Sequence, residues 1–155
     1  ENYLVSLQIL LRELEPLKKY LASPGKPGNP VTILISGERP PPSEYENYPD
    51  YIFFDDDLKL KHNIDEWNRV GQVSLSFERF SNWKGLDSLE TKDKRSLQIT
   101  IDSVHHVGKT LRFWAAPDSK LSWQTQMNLG VDLIGTDRIE ELADFINSNG
   151  HIKRE

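Results

Sequence analysis

The sequence predicts an α/β protein built around a parallel β-sheet. Short runs of β-branched and aliphatic residues indicate strands covered on both faces, and segments with helical periodicity separate these runs. Polar residues follow several runs, as in folds that bind ligands at the carboxyl ends of parallel strands. The predicted strands cover residues 31–36, 51–54, 72–77, 111–115 and 131–134. Five strands fit an open doubly wound sheet or part of a closed barrel, since a complete (β/α)₈ barrel needs eight.

The composition excludes several classes of function. The 155 residues carry a net charge of −5 with scattered Lys and Arg residues, which argues against nucleic acid as a partner. No apolar run approaches the ~18 residues of a membrane span, so no transmembrane segment is expected. Disulfides and thiolate metal sites are excluded because there is no cysteine. The chain starts at Glu1 and its one methionine is Met127, so we expect a processed or truncated product.

The first predicted helix is amphipathic and spans residues 3–21. Its leucines recur at spacings of three and four, or their sum, which places them on one stripe that must be covered. These residues are Leu4, Leu7, Leu11, Leu14 and Leu21. Pro16 lacks a backbone N–H donor and is expected to kink or divide the helix. A cluster of Pro and Gly residues at 23–30 ends it.

Local signals also set the ends of the later helices. Thr91 is expected to cap a helix that runs to about residue 106 and stops at Gly108. The buried stripe of that helix is Leu97, Ile101 and Val104. Asp118 is expected to cap a short helix that ends at Gly130. The last helix spans about 137–147 and stops at Gly150.

Two segments near the carboxyl end carry a resemblance to a known superfamily. Leu111–Asp118 (LRFWAAPD) and Leu129–Asp137 (LGVDLIGTD) closely resemble its last two strands. This superfamily contains glycerophosphodiester phosphodiesterases and phosphatidylinositol-specific phospholipase C-like enzymes. Ile33–Arg39 and Ser74–Trp83 also look like its bacterial, phospholipase C-like branch.

The resemblance implies a TIM (β/α)₈ barrel, of which residues 1–150 would form the carboxy-terminal part with about the last five strands. Residues 151–155 would be a tail. In that family a histidine pair and metal-binding acidic residues lie on the first three strands, and no catalytic or metal-binding residue of this chain matches them. An amino-terminal half or a partner chain would complete the barrel.

The implied activity is phosphoric diester hydrolysis by histidine acid/base catalysis. The implied substrate is a small-molecule or lipid-derived phosphodiester, such as a glycerophosphodiester or a phosphoinositide-like lipid. A divalent cation, Ca²⁺ or Mg²⁺, is implied for the full-length protein, with ligands outside this chain. Only the resemblance suggests a secreted or periplasmic location. By itself the chain is expected to be inactive.

Arg112 and Trp114 are the leading candidates for substrate binding. They have the same parity in their strand, so both point into the barrel if Trp114 does. Arg112 would then neutralise a phosphodiester through its forked donors, or else form a structural ion pair with Asp132 or Glu78. Trp114 would contact the alcohol moiety of the substrate or pack in the core.

The loops after the first two strands supply further candidates. Glu38 and Arg39 either reach a polar group of a ligand or form an exposed pair. Asp55, Asp56 and Asp57 are the densest carboxylates, and strand geometry favours one inward carboxylate, Asp55 being the candidate contact, with two solvated neighbours. A metal role for this cluster is disfavoured, because three consecutive carboxylates cannot all converge.

The third strand is predicted to line a cavity. Its alternation sets Ser74, Ser76 and Glu78 on one face against Val73, Leu75 and Phe77 on the other. By resemblance, Ser76, Glu78 and Trp83 would contact a sugar or head group. The alternative is cavity filling and loop packing.

The histidines are not predicted to be catalytic. His105 and His106 are adjacent on a helix and point about 100° apart, so they cannot easily share a ligand. His62 and His151 are expected in a surface loop and in the tail. There is no phosphate loop and no nucleophile elbow.

The alternative to an enzyme is a non-catalytic α/β binding or assembly module whose sheet edge pairs with another chain.

Overall fold

The computed structural model describes residues 3–26 and 28–148. Its contacts divide the chain into two compact units, residues 1–73 and 74–155. The strands take the order β1-β2-β3-β4-β5 in a five-stranded sheet, and the pairs β1–β2, β2–β3 and β4–β5 are parallel. The prediction of an α/β fold with five sheet strands is confirmed. No helix among the described residues has the length and apolar character needed to cross a membrane.

The first unit begins with α1, Tyr3–Leu14, which is followed by a 3-10 helix, Glu15–Tyr20. Pro16 lies in the first turn of the 3-10 helix, so its predicted division of the helix is confirmed. The apolar stripe is narrower than predicted, because Leu7 and Leu14 are buried whereas Leu4 is exposed.

Three strands follow in the first unit. They are β1, Ile33–Ile35; β2, Ile52–Asp56; and β3, Val70–Ser76, whose last residues belong to the second unit. A 3-10 helix, Pro42–Asn47, and the short α2, Ile64–Asn68, separate them. All three residues of β1 are only half-buried, so the prediction that this strand is covered on both faces is wrong. The core instead lies on β2, where the Phe54 ring stacks on Tyr45 with centroids 3.9 Å apart.

The second unit continues with a 3-10 helix, Phe77–Arg79. It then contains α3, Thr91–His106; β4, Leu111–Trp114; α4, Lys120–Leu129; β5, Leu133–Ile134; and α5, Ile139–Ser148. The buried stripe of α3 is the predicted one. Because β3 ends at Ser76, the alternation predicted to reach Glu78 stops there, and Glu78 lies exposed in the 3-10 helix.

The glycine stops were predicted better than the helix caps. Gly108 and Gly130 follow α3 and α4 with φ of 70° and 85°, as predicted for the ends of these helices. Both cap predictions are wrong: Glu90 precedes α3 without a side-chain cap, and the Ser119 hydroxyl caps α4 by accepting from the Ser122 N–H. Gly150 and the tail at 151–155 lie outside the described residues.

We expect the left-handed backbone at Gly130 to make this glycine costly to replace. Gly130→Ala should lower the free energy of unfolding by about 1 kcal/mol, because a Cβ is disfavoured at its φ of 85°. Gly130→Asn should cost less, since asparagine tolerates this region. Urea unfolding of the two variants, with Gly25→Ala as a control in open space, makes the comparison. Equal stability of the alanine and asparagine variants would contradict the conformational explanation.

Candidate functional site

Backbone strain marks two loops that follow strand ends. Among the described residues, the non-glycine residues with positive φ are Leu58 at 58° and Ala115 at 54°. Leu58 lies two residues after β2, and Ala115 follows β4 directly. Such a conformation costs on the order of 1–3 kcal/mol and persists where the surroundings impose it, often at ligand sites. These two loops are therefore candidate ligand-binding loops.

In the second unit, β4 carries the predicted pair Arg112 and Trp114. Leu111 and Phe113 are fully buried, whereas Arg112 is half-buried and Trp114 is 51% exposed. The burial pattern places Arg112 and Trp114 on one face of the strand, as their parity predicts. Arg112 is in register with Leu133 of β5, and Leu133 is exposed, as Trp114 is.

The Arg112 side chain has an unsatisfied donor. Its Nε is buried and has no hydrogen-bond partner in the described part of the chain, and no described carboxylate forms an ion pair with it. The structural pair predicted with Asp132 or Glu78 is not formed. Asp132 instead accepts from His105 Nε2 and from the Leu111 N–H, both at 2.8 Å. Arg112 therefore presents a half-buried cation whose Nε donor has no partner among the described residues.

The other predicted residues of the second unit have different surroundings. Ser76 is buried at the end of β3, the strand that neighbours β4 in the sheet order. Glu78 and Trp83 line a cleft of about 700 Å³ formed by residues 78–93. The Trp83 Nε1 donates to the backbone oxygen of Asp87 at 3.0 Å, and its ring lies 6.2 Å from that of Phe77. The indole N–H of Trp83 is thus already used within its own loop.

Asp118 organises the loop after β4. Its Oδ1 accepts from Trp123 Nε1 at 2.9 Å and from the Thr136 hydroxyl at 2.7 Å, and its Oδ2 accepts from the Asp137 N–H at 2.9 Å. Asp118 therefore joins the loops that follow β4 and β5, which explains why it does not cap α4. Burial acts to raise the Asp118 pKa, but these hydrogen bonds and the charge of Arg138 lower it below its ordinary value.

In the first unit, the loops after β1 and β2 line a cleft of about 460 Å³. Its polar lining residues are Glu38, Arg39, Asp56, Asp57 and Lys59. Glu38 is exposed, whereas the Arg39 side chain is 20% exposed. The structure thus brings together two predicted candidates, Glu38 and Arg39, with carboxylates of the 55–57 cluster.

The carboxylates are distributed differently from the prediction. Asp55 and Asp56 are both buried, and Asp57 is half-exposed, so the expectation of one inward and two solvated carboxylates is wrong. The register between β2 and β3 shifts between Phe54 and Asp55. This irregularity breaks the strict alternation on which the expectation rested.

Asp56 forms a buried pair with His62. The His62 side chain is 0% exposed, and its Nε2 lies 2.9 Å from Asp56 Oδ2, so the prediction of a surface histidine is wrong. The ring also meets Trp67 edge-on at 4.7 Å, and its Nδ1 lies 3.8 Å from Glu66 Oε2. Sequence periodicity could not reveal this pair, because Asp56 and His62 are joined by a loop. The one local signal is Asn63, whose spacing to Glu66 marks the start of α2 directly after His62.

These residues do not fit a divalent cation. No group of three or more His, Asp or Glu residues within 3–26 and 28–148 is arranged to hold a metal ion. Both Asp56 oxygens are already bound, Oδ1 by the Leu58 N–H and Oδ2 by His62. We therefore derive no chemical step through a metal from this chain.

Comparisons with protein-family models, with curated proteins and with solved structures found no match to this chain.

The lowered Asp118 pKa predicts a stability that depends on pH. The stabilisation is present above the pKa of the unfolded state and is lost as the pH falls through the lower folded pKa. Asp118→Asn should lower the free energy of unfolding by about 1–2 kcal/mol at pH 7, because one oxygen becomes an amide donor. The difference from wild type should shrink below pH ~4, as the wild-type carboxyl also becomes neutral.

Urea unfolding between pH 2.5 and 7 tests this dependence. Asp144→Asn, at an exposed position of α5, is the matched control and should follow the wild-type profile. A constant difference between Asp118→Asn and wild type across this range would rule out the charged hydrogen bonds as its source.

Proposed function

We propose that this chain is the carboxy-terminal part of a TIM-barrel phosphodiester hydrolase, in which Arg112 binds the phosphodiester anion. The observation that carries the proposal is the buried Nε of Arg112, which has no hydrogen-bond partner among the described residues and lies on the strand that bears the resemblance. The substrate is a glycerophosphodiester or a phosphoinositide-like lipid.

An unpaired guanidinium donor in a buried position costs free energy, and an anionic ligand would recover it. Arginine suits this role because its planar fork donates two parallel hydrogen bonds to phosphate oxygens. Trp114 lies on the same face of β4 and is exposed, so it can form a wall for the alcohol moiety. The strained Ala115 immediately afterwards is consistent with a ligand-binding loop.

The chemical step requires groups that this chain does not supply. In the proposed mechanism one histidine activates water or a neighbouring hydroxyl of the substrate, and a second protonates the leaving alcohol. The resemblance assigns both histidines, and the ligands of a divalent cation, to an upstream segment or a partner chain. The role of the present residues is to bind and orient the phosphodiester.

The second candidate function is a non-catalytic assembly module. Its support is the position of β1 and β5 at the ends of the strand order, each with one neighbouring strand. An edge strand can pair with another chain through the backbone N–H and C=O groups on its open side. In that case a protein partner would bind, and a phosphodiester would not.

Arg112→Ala should weaken the binding of glycerophosphocholine by at least about tenfold, as expected for the loss of one charged contact. Isothermal titration calorimetry measures the affinity, and the melting temperature should stay nearly unchanged. Arg95→Ala is the matched control, because Arg95 is exposed on α3. Equal affinities of the wild-type and Arg112→Ala chains would remove Arg112 from the site.

The 155-residue chain should not hydrolyse glycerophosphodiesters or bis(p-nitrophenyl) phosphate, because the proposed catalytic histidines lie outside it. Product release from a pure sample, with and without added Ca²⁺ or Mg²⁺, is the measurement. Robust metal-dependent turnover would show that the catalytic groups are within these residues.

A further inference from the structure

We propose that His62 is a positioning residue: it fixes Asp56, which in turn holds the Arg39 guanidinium at the cleft between the loops after β1 and β2. The inference does not rest on the proposed function. The positioning itself follows from the contacts of the first unit.

Asp56 is immobilised at both carboxylate oxygens. Its Oδ1 accepts from the Leu58 N–H at 2.7 Å, and its Oδ2 accepts from His62 Nε2 at 2.9 Å. The first contact closes a tight turn in which Leu58 takes its strained conformation, with φ of 58°. Because Asp56 is only 3% exposed, water cannot readily replace these two donors if the carboxylate rotates. The plane of the carboxylate is therefore set by two protein donors.

His62 acts through Asp56 and not on a ligand. Its side chain is fully buried, and the Trp67 ring and the Glu66 carboxylate lie beside it. The same Glu66 carboxylate accepts from the Asn63 N–H at the start of α2, so the surroundings of the imidazole are tied to the helix cap. A buried ring in this position cannot exchange a proton with a substrate in the cleft, but it can orient a carboxylate.

Arg39 is the group that Asp56 orients. Its Nη2 lies 3.8 Å from Asp56 Oδ2 and 3.5 Å from Asp57 Oδ1, and its Nη1 donates to the Gly37 carbonyl at 3.2 Å. The side chain is 20% exposed and lines the cleft, so the guanidinium is held in place and is still accessible from the cleft. Burial raises the pKa of the nearby Tyr45 hydroxyl, and the charge of Arg39 acts in the opposite direction.

The charge balance explains why position matters here. The cleft is lined by the carboxylates of Glu38, Asp56 and Asp57 and by the cations of Arg39 and Lys59, so it does not attract an anion by net charge. An oxygen of the ligand would be bound by a directed N–H group, and such a contact depends on the orientation of the guanidinium.

The experiment measures the rotation of the Arg39 guanidinium by nitrogen NMR, through exchange between its two Nη atoms. Rotation should be slowed in the wild-type chain and in His62→Gln, whose amide can donate to Asp56 in place of Nε2. In His62→Leu, which fills the space without a donor, it should be at least about tenfold faster. Arg95, exposed on α3, should rotate freely in every variant.

The amide dispersion of each variant verifies that it is folded. If His62→Leu does not fold, His62→Phe makes the same test, because it also fills the space of the ring without a donor. Free rotation of Arg39 in the wild-type chain, or equal restriction in wild type and the folded donor-free variant, overturns the positioning role.

Discussion

Hydrogen bonds to a carboxylate near the end of a strand organise a loop in each unit of this protein, because they offset the cost of withdrawing the charge from water. In the first unit this carboxylate is Asp56, bound by the Leu58 N–H and by His62. In the second it is Asp118, bound by Trp123, Thr136 and the Asp137 N–H. Apart from Trp123, which lies in α4, these donors come from the loops that follow the strands. The need to satisfy these oxygens therefore determines the conformation of those loops.

At Leu58 the same constraint accounts for the strained backbone, because the Leu58 N–H donates to Asp56 Oδ1 while its φ is positive. Local preference alone would relax this residue, so the hydrogen bond helps to maintain the strain. Ala115 also has positive φ and lies in the loop that contains Asp118. A loop held in this manner presents its neighbouring side chains in a defined direction, which is what a binding site requires.

The two arginines illustrate how the environment separates similar side chains. Arg39 faces two carboxylates that offset its charge, and it is useful to a ligand only through oriented donors. Arg112 has a buried donor without a described partner, and its face of β4 is shared with the exposed Trp114. In the proposed function, the donor without a described partner is what makes Arg112 the anion contact. Arg39 is suited to a contact that depends on geometry.

The sequence by itself determined the features that depend on neighbours a few residues apart. These include the division of the first helix at Pro16, the buried stripe of α3, the glycine stops and the shared face of Arg112 and Trp114. Only the tertiary structure decided the partners of His62, Asp118 and Arg112. The contacts of His62 and Asp118 depend on loops whose path no periodicity encodes, and so does the finding that Arg112 Nε has no partner among the described residues. The shift in register between Phe54 and Asp55 breaks the strict alternation from which one inward and two solvated carboxylates were expected at 55–57.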